Sequence, residues 1–361
     1  MNAKRLLSMA SVAALLPLCA FAETLTVASW GGSYLRSQML GFIRDFEEAT
    51  GVRVEIVEYA GGIDPIRSQV RSYNVRWDVV DLELFDAIRA NEEGLLLAIN
   101  PEDLEPGSDG TPPTEDFIDG SLFPFGVGNI LFSMVFAYNE AHTEKDPTSI
   151  ADFFDLRKFP GERALRRTPV ANLEWALLAD GVPPAEVYPT LETDVGLQRA
   201  FRKLDRIKAV TRWWTDGEQP VAWLESGDVA FASLYHGRAY SAAQRGSPLA
   251  ILWDRQITYK NVWGIPRNVR NPELALKFVR FATSTESLGK QTRYMPYGPM
   301  RQSSLELVPD EVRAYLPTSD GKLEQAFTSD PAWWSKNLER IQPRFDRWLR
   351  TPTQVPERLR R

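Results

Sequence analysis

The sequence predicts an α/β protein with two domains, and three observations carry that expectation. The run Thr24-Leu-Thr-Val-Ala-Ser-Trp-Gly-Gly-Ser-Tyr34 alternates as a buried strand, with Leu25 and Val27 set against Thr24 and Thr26. It breaks at Gly31-Gly32 and enters a helix whose apolar positions Leu35, Met39, Phe42, Ile43 and Phe46 recur at helical spacing. Strand and helix patterns then alternate with short connections through Glu93, as at the start of a doubly wound sheet. Taking a 22-residue leader from 361 residues leaves 339, more than one hydrophobic core usually supports.

The leader is a secretory signal by its pattern. Lys4-Arg5 supply charge, Leu6 to Leu18 form an apolar run broken by Pro17, and Ala20-Phe21-Ala22 fits small-x-small cleavage. The run is too short to span a membrane, which takes about 20 apolar residues. Cys19 follows Leu18, where a lipidation signal needs a small residue. Cleavage after Ala22 removes the only cysteine, so no disulfide or thiol chemistry is expected. Removing Lys4 and Arg5 from 42 basic side chains leaves 40 against 48 acidic ones, a net charge of −8 instead of −6. An acidic exported chain argues against nucleic acid or an anionic membrane surface as partner.

In chain order, Gly51 to Val57 alternates as a second strand and Asp64 to Tyr73 reads as a short helix. Trp77-Asp-Val-Val-Asp-Leu82 is a third strand, apolar enough for a parallel sheet, with Glu83 just past its end and a helix following through Ile88 to Glu93. The stretch Asn100 to Thr114, rich in Pro, Gly and Asp, is a surface excursion. Ile130 to Tyr138 is a strand long enough to pass between domains. Helices are expected from Ser149, over Leu173–Leu178, Leu197–Ile207 and Gly217–Glu225, and strands over Val229–Tyr235 and Gln256–Ile265. Asn271-Pro-Glu opens a helix over Leu274–Thr283, and the chain from Ser303 to Trp348 reads as helical and rich in Trp. The basic, Pro-containing end from Thr351 is expected to fray.

Catalytic motifs are scarce. Only two histidines occur, His142 and His236, neither in a metal-spacing pair, and no nucleophile elbow or phosphate loop is present. Strand ends are more informative, because ligands of open α/β sheets bind outside the carboxyl ends of the strands. Trp30 follows the first strand, Glu83 the third, and Arg238 the Val229 strand. Tyr259, Asn261 and Trp263 alternate on one strand and so share a face, while Trp213-Trp214 and Asp216 fall in a loop before the Gly217 helix. Aromatic rings with a carboxylate suit a cation, and a guanidinium suits a carboxylate, so Glu83 and Arg238 could grip the two ends of a zwitterion. Alternatives stand beside these readings. Trp30, Trp213 and Trp214 could be core residues, and Glu83 and Arg238 could pair with each other or with surface partners.

Leu25-Thr-Val-Ala-Ser-Trp-Gly-Gly32, Phe46-Glu-Glu-Ala-Thr-Gly-Val-Arg-Val54, Trp77-Asp-Val-Val80, Leu224-Glu-Ser-Gly-Asp-Val-Ala-Phe231, Gly264-Ile-Pro266 and Asn271 to Leu276 together resemble the periplasmic solute-binding proteins of ABC importers, nearest the spermidine/putrescine-binding branch. The resemblance implies a two-lobed periplasmic binding protein fold with the ligand in the interlobe cleft. One lobe would comprise 23–132 plus 264–361 and the other 133–263. It implies no cofactor, a permease partner, a monomer, and hinge closure on the ligand. Trp30, Tyr259 and Tyr297 fall where that branch lines its cleft. Its amine-binding aspartate is replaced in Tyr259-Lys260-Asn261, and acids expected near the Leu173 helix are replaced around Val170 to Asn172. These departures favour a 4-aminobutyrate-like amino acid, with a polyamine close behind and an opine, sugar or oxyanion as further alternatives. The expected ligand-binding set is Trp30, Glu83, Trp214, Asp216, Arg238, Tyr259, Asn261, Trp263 and Tyr297. A competing reading is a secreted hydrolase or lyase using His236 as base.

Overall fold

The computed structural model describes residues 23–319 and 321–352. The signal segment, Cys19 and most of the expected frayed end lie outside the described residues. The strands are β1 (Thr24–Ser29), β2 (Arg53–Glu58), β3 (Val79–Glu83), β4 (Leu122–Phe123), β5 (Gly126–Asn139), β6 (Arg163–Arg166), β7 (Thr211–Trp214), β8 (Phe231–Tyr235), β9 (Leu249–Gly264), β10 (Gly298–Pro299) and β11 (Phe327–Thr328). They form one continuous sheet path in the order β2-β1-β3-β9-β5-β8-β6-β7, with β4 and β10 pairing with β5 and β11 with β9.

The first three strands pair in parallel, Val27 lying beside Val79 and Ile56. β3 is buried along its whole length, as in a sheet covered on both faces, whereas β2 at the edge alternates half-buried Val54 and Ile56 with exposed Arg53 and Glu55. The second parallel set is β7-β6-β8. Two long antiparallel strands, β5 and β9, join the sets. Each begins in one hydrophobic core and ends in the other: Val127 and Trp263 belong to the first core, Phe136 and Ile257 to the second. The first core centres on Leu25, Phe42, Phe46, Val80 and Phe278, and the second on Phe136, Phe153, Trp175, Leu204 and Phe231. This is a two-lobed fold.

The helix after β1 runs from Gly32 to Thr50 with a five-residue π-helical turn at Met39–Ile43. The turn stands where Gly41 meets the Gln291 backbone, which a Cβ would overlap. The C-terminal helix Pro331–Arg350 corrects the expected assignment of all of 264–361 to the first lobe. Its buried stripe Trp334, Ile341 and Phe345 packs on the second core, and Trp348 donates to Asp205 at 2.7 Å. An amphipathic stripe announces that a helix will pack, but not against which lobe. Trp213-Trp214 forms part of β7 and not a loop. Among the described residues no helix is long and apolar enough to cross a membrane.

Candidate functional site

A cavity between the lobes is lined by Trp30, Tyr34, Glu83, Ile130, Phe132, Tyr235, Arg238, Asn261 and Tyr297. Three of these stand at or just past the carboxyl ends of strands, Trp30 after β1, Glu83 closing β3 and Tyr235 closing β8, while Ile130, Phe132 and Asn261 lie within the crossing strands β5 and β9. Trp30 is half-buried, packs against both cores, and leans on Tyr59 with ring centroids 5.2 Å apart.

Charged groups around the cavity pair both within and across the lobes. Glu83 accepts from Arg166 at 2.7 Å, and the Arg166 guanidinium lies 5.8 Å from the Trp30 ring. Arg238 donates to the Trp30 carbonyl at 3.3 Å and pairs with Glu218. The Glu218 carboxylate also accepts from the Ser33 backbone N–H at 2.8 Å and from its hydroxyl at 2.7 Å. Partial burial of Glu218 acts to raise its pKa, but the Arg238 charge and the Ser33 bonds outweigh that and hold it below the usual glutamate range. Gly32, at φ 57°, makes the approach possible, because a Cβ there would overlap both Glu218 and Arg238.

Beneath the cavity lies Asp81, fully buried. Its Oδ2 accepts from the Tyr34 hydroxyl at 2.7 Å and from Gln38 Nε2 at 2.9 Å, and its Oδ1 from Asn261 Nδ2 at 2.9 Å. Burial pushes the Asp81 carboxyl up to about 6, against the pull of those donors.

Of the nine expected residues, the structure brings Trp30, Glu83, Arg238, Asn261 and Tyr297 together around the cavity. Glu83 and Arg238 do not pair with each other. Tyr259 stands behind Phe132, stacked on it at 5.6 Å, and does not line the cavity. Trp214 also lies one layer back, edge-on to Tyr235 at 5.7 Å, while Trp213 packs on Phe345 and Trp348 of the C-terminal helix. Asp216 is exposed and accepts from the Glu218 backbone N–H at 2.7 Å in its own turn. Trp263 is buried among Phe42 and Phe278 in the first core. The face it shares with Asn261 is open cleft at one end of β9 and covered core at the other, so alternation alone misplaced it.

Sequence reasoning missed Tyr34, Tyr235 and Arg166. The strand-end rule that singled out Trp30 and Glu83 applies equally to Tyr235. Arg166 closes β6, a four-residue strand with Arg at both ends and little apolar alternation to reveal it. His236 does not reach the cleft. The Ser133 backbone N–H donates to its Nδ1 at 3.1 Å and its Nε2 faces the Pro296 carbonyl at 2.9 Å. Burial pushes its pKa down to about 4, so the ring is neutral and held by backbone on both sides. Among the described residues no cluster of side chains is arranged to hold a metal ion.

The model of the family "bacterial extracellular solute-binding protein" matches residues 41–318. This chain belongs to that family. It is similar to a gamma-aminobutyric acid-binding protein of Pseudomonas aeruginosa, 36% identical over 90% of this chain and 91% of the relative. It is also similar to the spermidine/putrescine-binding periplasmic protein of Escherichia coli, 22% identical over 67% of this chain and 68% of that one. Among solved structures, an ABC transporter substrate-binding protein from Bradyrhizobium japonicum superposes with a TM-score of 0.80 at 30% identity, covering 90% of this chain and 99% of its own. These relatives are binding proteins.

Proposed function

We propose that this protein captures 4-aminobutyrate, or an amino acid of similar length, in the interlobe cavity and, as a periplasmic monomer, delivers it to the permease of an ABC importer. The observation that carries the ligand choice is the charge balance of the cleft. Arg166 and Arg238 are matched by Glu83 and Glu218. A zwitterion adds no net charge to such a site. A diamine would bring two further cations beside two guanidiniums, without the aspartate that Asn261 replaces. Resemblance to the Pseudomonas protein supports the same choice.

In this reading Glu83 and the Asn261 amide oxygen take the ammonium, and Arg238 takes the carboxylate. The rings of Trp30, Tyr34, Tyr235 and Tyr297 enclose the methylene chain. Ring faces also attract an ammonium, by about 0.5–2 kcal/mol depending on desolvation. The Ser33–Glu218 bonds already link the lobes, so bending of β5 and β9 would have to part them to admit the ligand and remake them over it.

Thermal unfolding of the mature protein against 4-aminobutyrate, shorter and longer amino acids, putrescine, spermidine, opines and sugars tests this. A specific ligand stabilises by RT ln(1 + [L]/Kd), about 2.7 kcal/mol at a hundredfold excess over Kd. Stabilisation by 4-aminobutyrate at concentrations where putrescine does nothing is the expected result, and the opposite order would overturn the ligand choice.

A further inference from the structure

The amide of Asn261 is held in one orientation by a buried carboxylate that does not line the cavity. Asp81 is acceptor-only when ionised, so each of its partners must donate. Asn261 therefore turns Nδ2 towards Asp81 at 2.9 Å, leaving Oδ1 buried without a partner on a side chain that lines the cavity. The amide of Gln38 is oriented in the same way. Its Oε1 accepts from the Ser29 hydroxyl at 2.6 Å, which commits its Nε2 to Asp81. The hydrogen bonds from Ser29 through Gln38 on one side and from Asn261 on the other converge on Asp81, which accepts from both.

We propose that Asp81 and Asn261 together set the charge class of the ligand, Asp81 as a positioning residue that presents the Asn261 carbonyl oxygen, a neutral acceptor, to the ammonium. The inference deepens the zwitterion reading and rests on it. A neutral acceptor lets Glu83 alone neutralise the ammonium, whereas a carboxylate at 261 would add the second negative charge that a diamine needs. The geometry also shows how the charge could be transposed. Tyr34 and Gln38 both donate to Oδ2 of Asp81, while Asn261 donates to Oδ1. An asparagine at 81 with its oxygen in place of Oδ2 and its NH2 in place of Oδ1 would keep both incoming bonds. It would donate the third to an aspartate at 261. The double substitution Asp81→Asn with Asn261→Asp thus keeps the bonds from Tyr34 and Gln38 and the one between positions 81 and 261, while moving the carboxylate from beneath the cavity into it.

Isothermal titration of 4-aminobutyrate and putrescine into wild type, Asp81→Asn, Asn261→Asp and the double variant tests the proposal, with melting temperatures measured in parallel. In the double variant the affinity ratio of putrescine to 4-aminobutyrate should rise by roughly tenfold or more, as a charge-assisted bond replaces a neutral one. Asn261→Asp alone sets two carboxylates against each other, so its melting temperature should lie below that of the double variant. Asp81→Asn alone frees the Asn261 amide to turn, and should weaken 4-aminobutyrate binding without lowering the melting temperature. This single variant decides the matter if the double one does not fold. A folded double variant with an unchanged ratio, or Asp81→Asn with unchanged 4-aminobutyrate affinity, would overturn the proposal. If wild type itself prefers putrescine, the zwitterion reading fails, and the role of Asp81 and Asn261 is still decided by whether the ratio rises in the double variant.

Discussion

Both cleft guanidiniums, Arg166 and Arg238, lie 5.7 Å from the Tyr235 ring, yet their environments predict different consequences for their removal. Arg166 pairs with a glutamate whose side chain is only 5% exposed, whereas the partner of Arg238 is 39% exposed. Arg166→Ala leaves Glu83 buried and unpaired, so it should cost about 3–5 kcal/mol in denaturant unfolding without ligand. Arg238→Ala should leave the unliganded protein close to wild type. Its effect should appear on the ligand, with 4-aminobutyrate affinity reduced roughly ten- to a hundredfold, as expected for one hydrogen bond to a charge. Equal stability losses in the two variants would contradict this division. Trp30 illustrates the limit of residue-level reading: cleft wall and core residue were both open, and it serves as both, packing on two cores while lining the cavity.

At the scale of elements, the C-terminal helix is the part whose placement the chain pattern could not reveal. Trp334 is fully buried on the second core, and its Nε1 donates to Glu174 at 2.5 Å. Trp334→Ala should therefore destabilise the protein by about 3–5 kcal/mol, measured by urea unfolding. A loss under about 1 kcal/mol would mean that the helix is only loosely docked. The turn from β1 into its helix makes a second prediction. Gly32→Ala places a methyl group against Glu218 and Arg238 at a φ that disfavours any side chain, so it should weaken ligand binding while leaving the β1–β2–β3 sheet intact by circular dichroism. Most helices and strands were legible because their apolar residues repeat at 3.6 or 2. β6 and β7 were not, being four residues long and carrying Arg or Trp where alternation was sought.

Buried acids govern the whole molecule's response to pH. Burial lifts Asp81 and Asp86 to about 6 and Glu174 to about 7, so across mildly acid pH the folded state binds protons that the unfolded chain does not. Their contribution is full below the ordinary carboxyl range and is lost as pH rises through 6 to 7. His236 acts oppositely: burial holds it down to about 4, and its contribution is lost as pH falls through that value. Three carboxyls outweigh one imidazole, so the melting temperature should rise from pH 7.5 to pH 5, with a smaller rise in Glu174→Gln. A fall over that range would refute the raised pKa values of these carboxyls. Below about pH 4 the trend should reverse, as Glu218, held low by Arg238 and Ser33, takes up its proton.

The chain by itself determined the α/β class, the division into two lobes joined by long strands, and the family, because periodicity, glycine breaks and motif order are local properties. It also marked Trp30, Glu83, Arg238, Asn261 and Tyr297, since residues at or beyond strand ends and those matching a family's cleft positions can be recognised without coordinates. Only the tertiary structure decided that Glu83 faces Arg166 while Arg238 faces Glu218, and that Asp81 orients Asn261 from the neighbouring strand. It likewise decided that Trp263, on the same strand face as Asn261, belongs to a core. Pairing and burial depend on which segments, often more than 80 residues apart, meet across the cleft, and no local pattern records that meeting.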